Sequence, residues 1–233
     1  MIKVQSVIKR YGNFNALDGV SLDLRAGECI ALIGPNGSGK STMMKSILGL
    51  VLIDSGDILF EGKSVVSEWQ YREKIGYMPQ NGRYPDHMRV GQVIEMMSDI
   101  RKCTQPDLEL HDGFGLENFY EKKMNALSGG MRQKVNASLA FMFSPDVFIL
   151  DEPTAGLDPI SVEILKEKID KVCKQGKLVI ITSHVLSDLD DLISRVVYMQ
   201  DGNVLFSKER NDLMTASPNG SLSKALAATM KSL

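Results

Sequence analysis

The sequence has few of the features that mark a membrane-spanning or nucleic-acid-coating protein. Its longest apolar runs, around Ile30–Ile33 and Leu178–Ile181, have the length of strands, whereas a membrane helix needs about 20 apolar residues. A formal net charge of −2 over 233 residues argues against wholesale coating of nucleic acid, although it allows a local basic site. We expect a chain that does not cross a bilayer by itself and makes no direct contact with nucleic acid.

Cysteine is also scarce. The three residues Cys29, Cys103 and Cys173 are odd in number and far apart, which fits neither a disulfide framework nor a zinc site. We interpret them as buried or incidental thiols. The first residues, Met1 to Gln5, alternate like a strand and lack the basic and then apolar layout of a signal peptide, which favours a cytoplasmic location.

Short runs rich in Val and Ile alternate with helical patterns along the chain, as in a parallel sheet covered by helices. The sequence therefore predicts an α/β fold. Strands are predicted at Ile2–Ile8, Ser21–Leu24, Glu28–Ile33, Asp57–Phe60, Ile75–Met78, Val147–Leu150, Leu178–Thr182, Val196–Met199 and Val204–Phe206. Helices are predicted to begin near Lys40, Val90, Gly129, Ser161, Leu186 and Ser221.

Two regions depart from this alternation. Between about residues 80 and 143 the sequence becomes mostly helical, Met-rich and charged, which predicts an inserted helical subdomain. From about residue 208 to 233 we expect a C-terminal tail, in which the Ser-, Pro-, Asn- and Gly-rich stretch Thr215–Ser223 precedes a short amphipathic helix. Within the core, apolar residues recur at every third or fourth position of Ser161–Lys174, which predicts an amphipathic helix. Charged residues fill its opposite face, namely Lys166, Glu167, Lys168 and Asp170.

The segment that carries the clearest chemistry follows the predicted strand Glu28–Ile33 and opens a predicted helix. It matches G-x-x-x-x-G-K-[ST] through Gly34, Pro35, Asn36, Gly37, Ser38, Gly39, Lys40 and Ser41. Glycines let the backbone approach an anion, and the N–H groups at a helix start bind phosphate oxygens. Lys40 would neutralise the β- and γ-phosphates, and the Ser41 hydroxyl would ligate Mg²⁺. The pattern predicts a nucleoside-triphosphate site rather than a plain Gly-rich turn.

Two carboxylates follow the predicted strand Val147–Leu150. Ligands of α/β sheets bind at the carboxyl ends of the strands. We therefore expect Asp151 on the Mg²⁺ and Glu152 beside the γ-phosphate. The alternative is a helix N-cap with solvated charge.

A second Gly-rich helix start, Ser128-Gly129-Gly130, again directs backbone donors and a hydroxyl at an anion. One nucleotide does not need two such sites. The pair makes sense if two copies of the chain sandwich ATP, with the first loop of one copy facing the second loop of the other. The alternative is an ordinary capped helix with Gly in its first turn.

Together these segments resemble the nucleotide-binding subunit of an ATP-binding-cassette (ABC) transporter over about Met1 to Phe206. The resemblance implies a P-loop NTPase fold, with a mostly parallel sheet, an N-terminal antiparallel β subdomain and an inserted helical subdomain. That subdomain would carry the family's signature loop, here Leu127–Met131. The loop usually ends in Gln where this chain has Met131, so we expect its ATP contact to survive with one side-chain hydrogen bond lost.

The resemblance also implies roles for single residues. Tyr11 would stack on adenine, Thr42 would join the nucleotide-binding set, and Gln80 would contact Mg²⁺ and the attacking water while reporting to a membrane partner. Asp158 would lie in a loop that crosses the dimer interface, and His184 would contact the γ-phosphate. Tyr11 packing on the core, a solvated Gln80 and a helix N-cap at Asp158 remain open alternatives.

The implied activity is ATP hydrolysis, in which Glu152 orients or deprotonates the attacking water. The implied ligands and partners are ATP, Mg²⁺, a second copy of the chain and a membrane permease. The chain would then lie peripherally on the cytoplasmic face of the inner membrane. A soluble ABC ATPase that acts on nucleic acid or the ribosome is the alternative, and a regulatory module without catalysis is disfavoured by Glu152 and His184.

Three stretches, at residues 75–80, 128–137 and 153–159, are similar to the ATPase of the copper-processing ABC complex that matures nitrous-oxide reductase. That similarity implies an extracytoplasmic copper-related partner. The thirteen methionines do not imply a copper site in this chain. Adjacent pairs such as Met43–Met44 and Met96–Met97 cannot face one ligand sphere on a helix, which favours core or interface packing.

Overall fold

Strands and helices alternate along the chain from the second residue onward. The computed structural model describes residues 1–66, 68–183, 188–215 and 221–230. The strands are β1 (Ile2–Tyr11), β2 (Phe14–Leu24), β3 (Cys29–Ile33), β4 (Ser55–Phe60), β5 (Lys63–Ser64), β6 (Ile75–Met78), β7 (Val147–Asp151), β8 (Leu178–Thr182), β9 (Arg195–Gln200) and β10 (Asn203–Glu209). The helices are α1 (Lys40–Ile47), α2 (Val90–Arg101), α3 (Glu109–Gly113), α4 (Gly129–Phe141), α5 (Pro159–Lys174), α6 (Arg210–Thr215) and α7 (Leu222–Met230).

The strands form two sheets. The larger sheet has the order β10-β9-β3-β8-β7-β6. Its β9, β3, β8, β7 and β6 pair in parallel, and β10 runs antiparallel to β9 at the edge. The smaller sheet has the order β2-β1-β4-β5 and is antiparallel. The predicted α/β fold, with a parallel core and an N-terminal antiparallel subdomain, is confirmed.

The central strands are buried on both faces, which explains why they occur as unbroken apolar runs in the sequence. On β3, Ala31 and Ile33 pack into one hydrophobic cluster with α4 and α5. Ile30 and Leu32 point the other way, into a cluster with α1 and the antiparallel sheet. The second cluster includes Met43 and Met44, each 1% exposed, which confirms that this methionine pair is core packing.

The antiparallel sheet is larger than the sequence pattern predicts. Strand β2 begins at Phe14 rather than Ser21, after a turn in which Gly12 has a φ of 58°. The register between β1 and β2 shifts where Gly19 adopts a φ of 71°. Such a bulge adds one unpaired residue and breaks the two-residue alternation. The first part of β2 therefore carries no regular strand pattern.

Lys168 lies with the buried side chains of α5, whereas the sequence places it on the opposite, charged face, so the prediction for this residue is wrong. Lys168 is 3% exposed, and its Nζ lies 2.5 Å from Asp107 Oδ2 and 2.7 Å from Glu109 Oε2. Lys171 Nζ lies 2.7 Å from the same Glu109 oxygen. The hydrogen bond from Lys168 is the largest cause that lowers the pKa of Glu109. Both acids come from the helical insertion, which packs over α5 and pairs the charge that it buries.

The insertion itself follows the prediction, because residues 79–146 hold α2, α3 and α4 and no strand of either sheet. In the C-terminal part, the short amphipathic helix predicted near Ser221 is present as α7, whereas the end of β10 and helix α6 are not in the prediction. Strand β10 continues to Glu209 and is followed directly by α6, and in α7 the side chains of Leu222, Ala225 and Leu226 are buried. The helix predicted near Leu186 lies outside the described residues. None of the described helices is long and apolar enough to cross a bilayer.

Candidate nucleotide site

A cleft of about 490 Å³ opens at the carboxyl ends of β3, β7 and β8. It is lined by predicted residues from separate parts of the chain: Tyr11, Asn36, Gly37, Ser38, Gly39, Lys40, Ser41, Thr42, Gln80, Asp151 and Glu152. Gly34 and Pro35 form the base of the same loop. The structure therefore brings together the phosphate-loop motif, the two strand-end carboxylates and the loop glutamine. His184 lies outside the described residues.

The loop reaches α1 through a backbone conformation that requires glycine. Gly39 precedes α1 with a φ of 100°, and a Cβ there would lie 2.4 Å from the carbonyl oxygen of Ala16. Among the described side chains, none caps the start of α1. Because the first N–H groups of a helix have no partner within the helix, those of α1 remain as donors at the cleft.

Lys40 is the first residue of α1, and its side chain reaches back over the loop. Its Nζ donates to the carbonyl oxygens of Gly34 at 2.7 Å and Pro35 at 3.0 Å. Burial lowers the pKa of Lys40, and the carboxylates of Asp151 and Glu152 act in the opposite direction by favouring the charged ammonium. The site therefore contains a partly buried cation that faces two carboxylates.

The two carboxylates differ in their surroundings. Asp151 accepts a hydrogen bond from the Thr182 hydroxyl. Glu152 has a left-handed backbone with a φ of 52°, and its N–H donates to the Thr182 carbonyl oxygen at 3.0 Å. The neighbouring strand β8 thus holds both residues at the end of β7.

Three of the side chains that line the cleft carry oxygen ligands: the Ser41 hydroxyl, the Asp151 carboxylate and the Gln80 amide. Oxygen ligands of this kind suit Mg²⁺, which binds proteins through one or two carboxylates and keeps several waters. These residues fit a magnesium ion held together with phosphate oxygens. Among the described residues, no group of three or more His, Cys, Asp or Glu side chains is placed to hold a metal.

Two aromatic rings stand at the mouth of the cleft. Tyr11 and Phe14 are 52% and 53% exposed and flank the turn between β1 and β2. Phe14 is absent from the sequence-based prediction, although Tyr-Gly-Asn-Phe has the Gly-Asn pair of a two-residue hairpin turn between two aromatics. Exposed rings at this position offer flat apolar faces that are suited to stacking.

The second Gly-rich helix start does not line this cleft. The Ser128 Oγ accepts a hydrogen bond from the Met131 N–H at 3.3 Å and so caps α4. Gly129 and Gly130 follow as the first residues of that helix. Within one chain, the capped-helix alternative describes this segment. Met131, which stands where the family usually has Gln, is partly buried and packs against the hydrophobic cluster that contains α4.

Asp158 is the N-cap of α5. Its Oδ1 accepts from the Ser161 N–H at 3.0 Å, and its Oδ2 lies 2.8 Å from Lys134 Nζ. The Lys134 contact and the bonds from Ser161 hold the pKa of the Asp158 carboxyl well below its usual range. Pro159 opens the helix, two residues before the predicted start. The N-cap alternative for Asp158 is therefore present in the single chain.

The profile of the ABC transporter family matches residues 17–155. This chain belongs to that family. The lantibiotic transport ATP-binding protein SrtF of Streptococcus pyogenes is 36% identical over 217 residues, which are 90% of this chain and 91% of that protein. The Nod factor export ATP-binding protein I of Burkholderia orbicola is 33% identical over 86% of this chain and 68% of its own length.

Solved ABC structures superpose closely on this one. An ATP-binding subunit of an ABC transporter matches with a TM-score of 0.88 and 26% identity over 98% of each chain. A dimeric ATP-binding cassette in a post-hydrolysis state, bound to ADP and Pi, matches with a TM-score of 0.81 and 26% identity over 90% of this chain and 98% of that one. The fold is the P-loop NTPase cassette, and the chain is an ABC-type ATPase.

Proposed function

We propose that this ABC ATPase is a transporter subunit that dimerises around two ATP molecules and drives a membrane permease. The observation that carries the proposal is that one chain has two separate helix starts suited to phosphate, α1 inside the cleft and α4 outside it. A single chain uses only the first. The second is explained if it binds ATP held in the cleft of another copy.

Binding of ATP is assigned to the cleft. The phosphates lie on the loop from Gly34 to Thr42, where Lys40 supplies the cation and the first N–H groups of α1 supply donors. Ser41, Asp151 and Gln80 would hold Mg²⁺, which would supply Lewis-acid stabilisation of the phosphate oxygens. Tyr11, joined by Phe14, offers a ring face to the adenine.

Hydrolysis is assigned to Glu152, supported by Gln80 and His184. The Glu152 carboxylate either accepts a proton from the attacking water or orients that water for in-line attack on the γ-phosphate. Lys40 stabilises the negative charge on the phosphate oxygens, together with Ser128 of the partner chain. Positioning and electrostatics account for most of the catalysis in this class of reaction.

Different comparisons support the dimer and the permease. The related cassette bound to ADP and Pi was solved as a dimer. Two relatives carry names that specify lantibiotic transport and Nod factor export, which favours a transporter over an ATPase that acts on nucleic acid or the ribosome. Attachment to a permease would place this chain on the cytoplasmic face of the inner membrane, with Asp158 in the loop between the two copies.

Replacement of Glu152 by Gln tests the catalytic assignment and the dimer together. This change keeps the shape of the side chain and removes the base, so ATP should bind and the closed dimer should persist. We expect a stable dimer in size-exclusion chromatography with Mg-ATP, and loss of turnover. Glu167→Gln, an exposed acid on α5, is the matched control and should behave as wild type. Normal turnover by the Glu152→Gln variant would contradict the assignment.

Copper-site assembly for nitrous-oxide reductase, with its extracytoplasmic copper-related partner, stays a prediction based on resemblance. A strain with Glu152→Gln should export the reductase polypeptide but leave it short of copper, because the ATP-driven cycle has stopped. Copper content of the purified reductase is the measurement. A full copper complement would remove this cargo assignment and leave the ATPase assignment intact.

A further inference from the structure

The helix that follows Ser128 is packed directly on the segment that carries Glu152. A Cβ at Gly130 would lie 2.5 Å from the carbonyl oxygen of Gly156, so the two backbones touch. One turn further along α4, Lys134 Nζ forms the 2.8 Å ion pair with Asp158. The start of α4 and residues 152–158 are therefore joined at two points that do not involve the nucleotide cleft.

A third contact reaches Glu152 itself. The Gln133 side chain is 5% exposed, and its amide nitrogen donates to the carbonyl oxygens of Glu152 at 2.9 Å and Pro153 at 3.3 Å. An amide nitrogen has two hydrogens, so both donors are used on consecutive carbonyls. No role in binding the nucleotide accounts for this buried amide, because Gln133 does not line the cleft.

The backbone that receives these bonds needs support. A φ of 52° is a left-handed conformation, which is costly for a residue that carries a Cβ. On the amino side, the Glu152 N–H is held by the Thr182 carbonyl oxygen at 3.0 Å. On the carboxyl side, Gln133 holds the Glu152 carbonyl. Since both flanking peptide groups are held, the direction of the Glu152 Cα–Cβ bond, from which the carboxylate extends, is set as well.

We propose that Gln133 is a positioning residue that sets the Glu152 carboxylate for attack on ATP. The proposal rests on the proposed function, and it adds a link between the two sites of the dimer. In the sandwich, the Ser128 loop of this chain meets ATP on the partner, while Glu152 acts on ATP in this chain's own cleft. Helix α4 joins the two, and Gln133 is the side chain through which the partner's ATP acts on Glu152.

The experiment compares Gln133→Met with wild type in the full-length chain. Methionine fills a similar volume and suits a helix but has no donor. We expect kcat for ATP hydrolysis to fall about tenfold to a hundredfold, as misplacement of a reacting group by about 1 Å does. The KM for ATP should stay within about twofold, because Gln133 itself does not line the cleft and contacts only the backbone of Glu152 and Pro153.

Two readouts separate positioning from a general structural role. In the Glu152→Gln background, Gln133→Met should leave ATP-dependent dimerisation unchanged and should not reduce the residual turnover further, since the base it positions is already absent. Ser138→Ala is the matched control. Ser138 is buried on α4, its hydroxyl has no hydrogen-bond partner among the described residues, and its variant should retain wild-type kcat and KM.

Gln133→Glu keeps the shape of the side chain and lacks the NH₂ group, so its kcat should fall in the same way. This second variant provides the test if Gln133→Met folds poorly. Wild-type kcat in both variants would overturn the inference, as would equal losses of dimerisation and turnover or an additive loss on top of Glu152→Gln. The proposed function fails instead if Glu152→Gln itself retains normal turnover. The two failures are therefore distinguishable.

Discussion

The starts of α1 and α4 are both Gly-rich helix N-termini suited to an anion, but they differ in whether a side chain of this chain caps them. At α1 the preceding Gly39 is left-handed, no described side chain caps the helix, and the N–H groups lie at a cleft that already holds Lys40 and the carboxylates. At α4 the exposed Ser128 caps the helix with its own hydroxyl, and a Cβ at Gly129 would meet nothing within 4 Å. The start of α1, here called the finished site, keeps uncapped N–H donors beside a cation. The start of α4, here called the open site, is satisfied within the chain, and under the proposed function it contacts ATP on a second copy.

The largest effect should come from the finished site. Lys40→Ala removes the cation at the β- and γ-phosphates, and loss of one such stabilising contact costs a few kcal/mol. We expect ATP binding or turnover to be abolished, measured by nucleotide titration and phosphate release. Lys45→Ala, an exposed lysine on the same helix that does not line the cleft, should leave both unchanged. Wild-type activity of Lys40→Ala would contradict the assignment of ATP to this cleft.

Ser128→Arg tests the open site without touching the cleft. Its bulk and charge would occupy the γ-phosphate pocket of the opposite chain, so closure of the dimer should fail. Made together with Glu152→Gln, it should remain a monomer in Mg-ATP by size-exclusion chromatography while still binding ATP. A dimer of normal stability would mean that the start of α4 is not at the interface, and the difference between the two helix starts would lose its functional meaning.

The two loops should also differ in how they accept a methyl group. Gly39→Ala combines a φ of 100° with a contact of 2.4 Å to the Ala16 oxygen, so we expect a loss of about 1–3 kcal/mol in the free energy of unfolding. Gly129→Ala meets open space and should change it by less than about 0.5 kcal/mol. Urea unfolding of both variants measures the difference. Equal losses would show that the open surface at Gly129 is misjudged.

The smallest effect concerns the cap itself. Ser128→Ala removes the acceptor for the Met131 N–H and should lower the free energy of unfolding by about 1 kcal/mol, the typical value of an N-cap. Ser128→Gly should lower the free energy of unfolding by only a few tenths of 1 kcal/mol. Urea unfolding without nucleotide is the measurement. If neither variant changes stability, the hydroxyl does not cap α4 in solution, and the start of α4 is as uncapped as the start of α1.

The sequence predicts the cleft well because most of its residues stand next to each other in the chain. Residues 34–42 form one loop and the first turn of α1, and Asp151 and Glu152 stand at the end of one apolar strand, so local patterns are sufficient. Phe14 was missed because the bulge at Gly19 hides the strand on which it lies. Lys168 was misassigned because helical periodicity describes one helix and contains nothing about the insertion that covers it. Local sequence patterns do not predict how segments that are distant in the chain pack on one another.

The burial of Lys168 limits how pieces of this protein can be exchanged with those of its relatives. A chimera that takes residues 79–146 from a cassette without acids at positions 107 and 109 would remove both partners of Lys168 and keep Lys168 on α5. An ammonium left buried without a carboxylate costs about 3–5 kcal/mol, which is a large share of the stability of a typical domain. The helical insertion is contiguous along the chain but is not an independent unit for grafting, and residue 168 must be transferred with it.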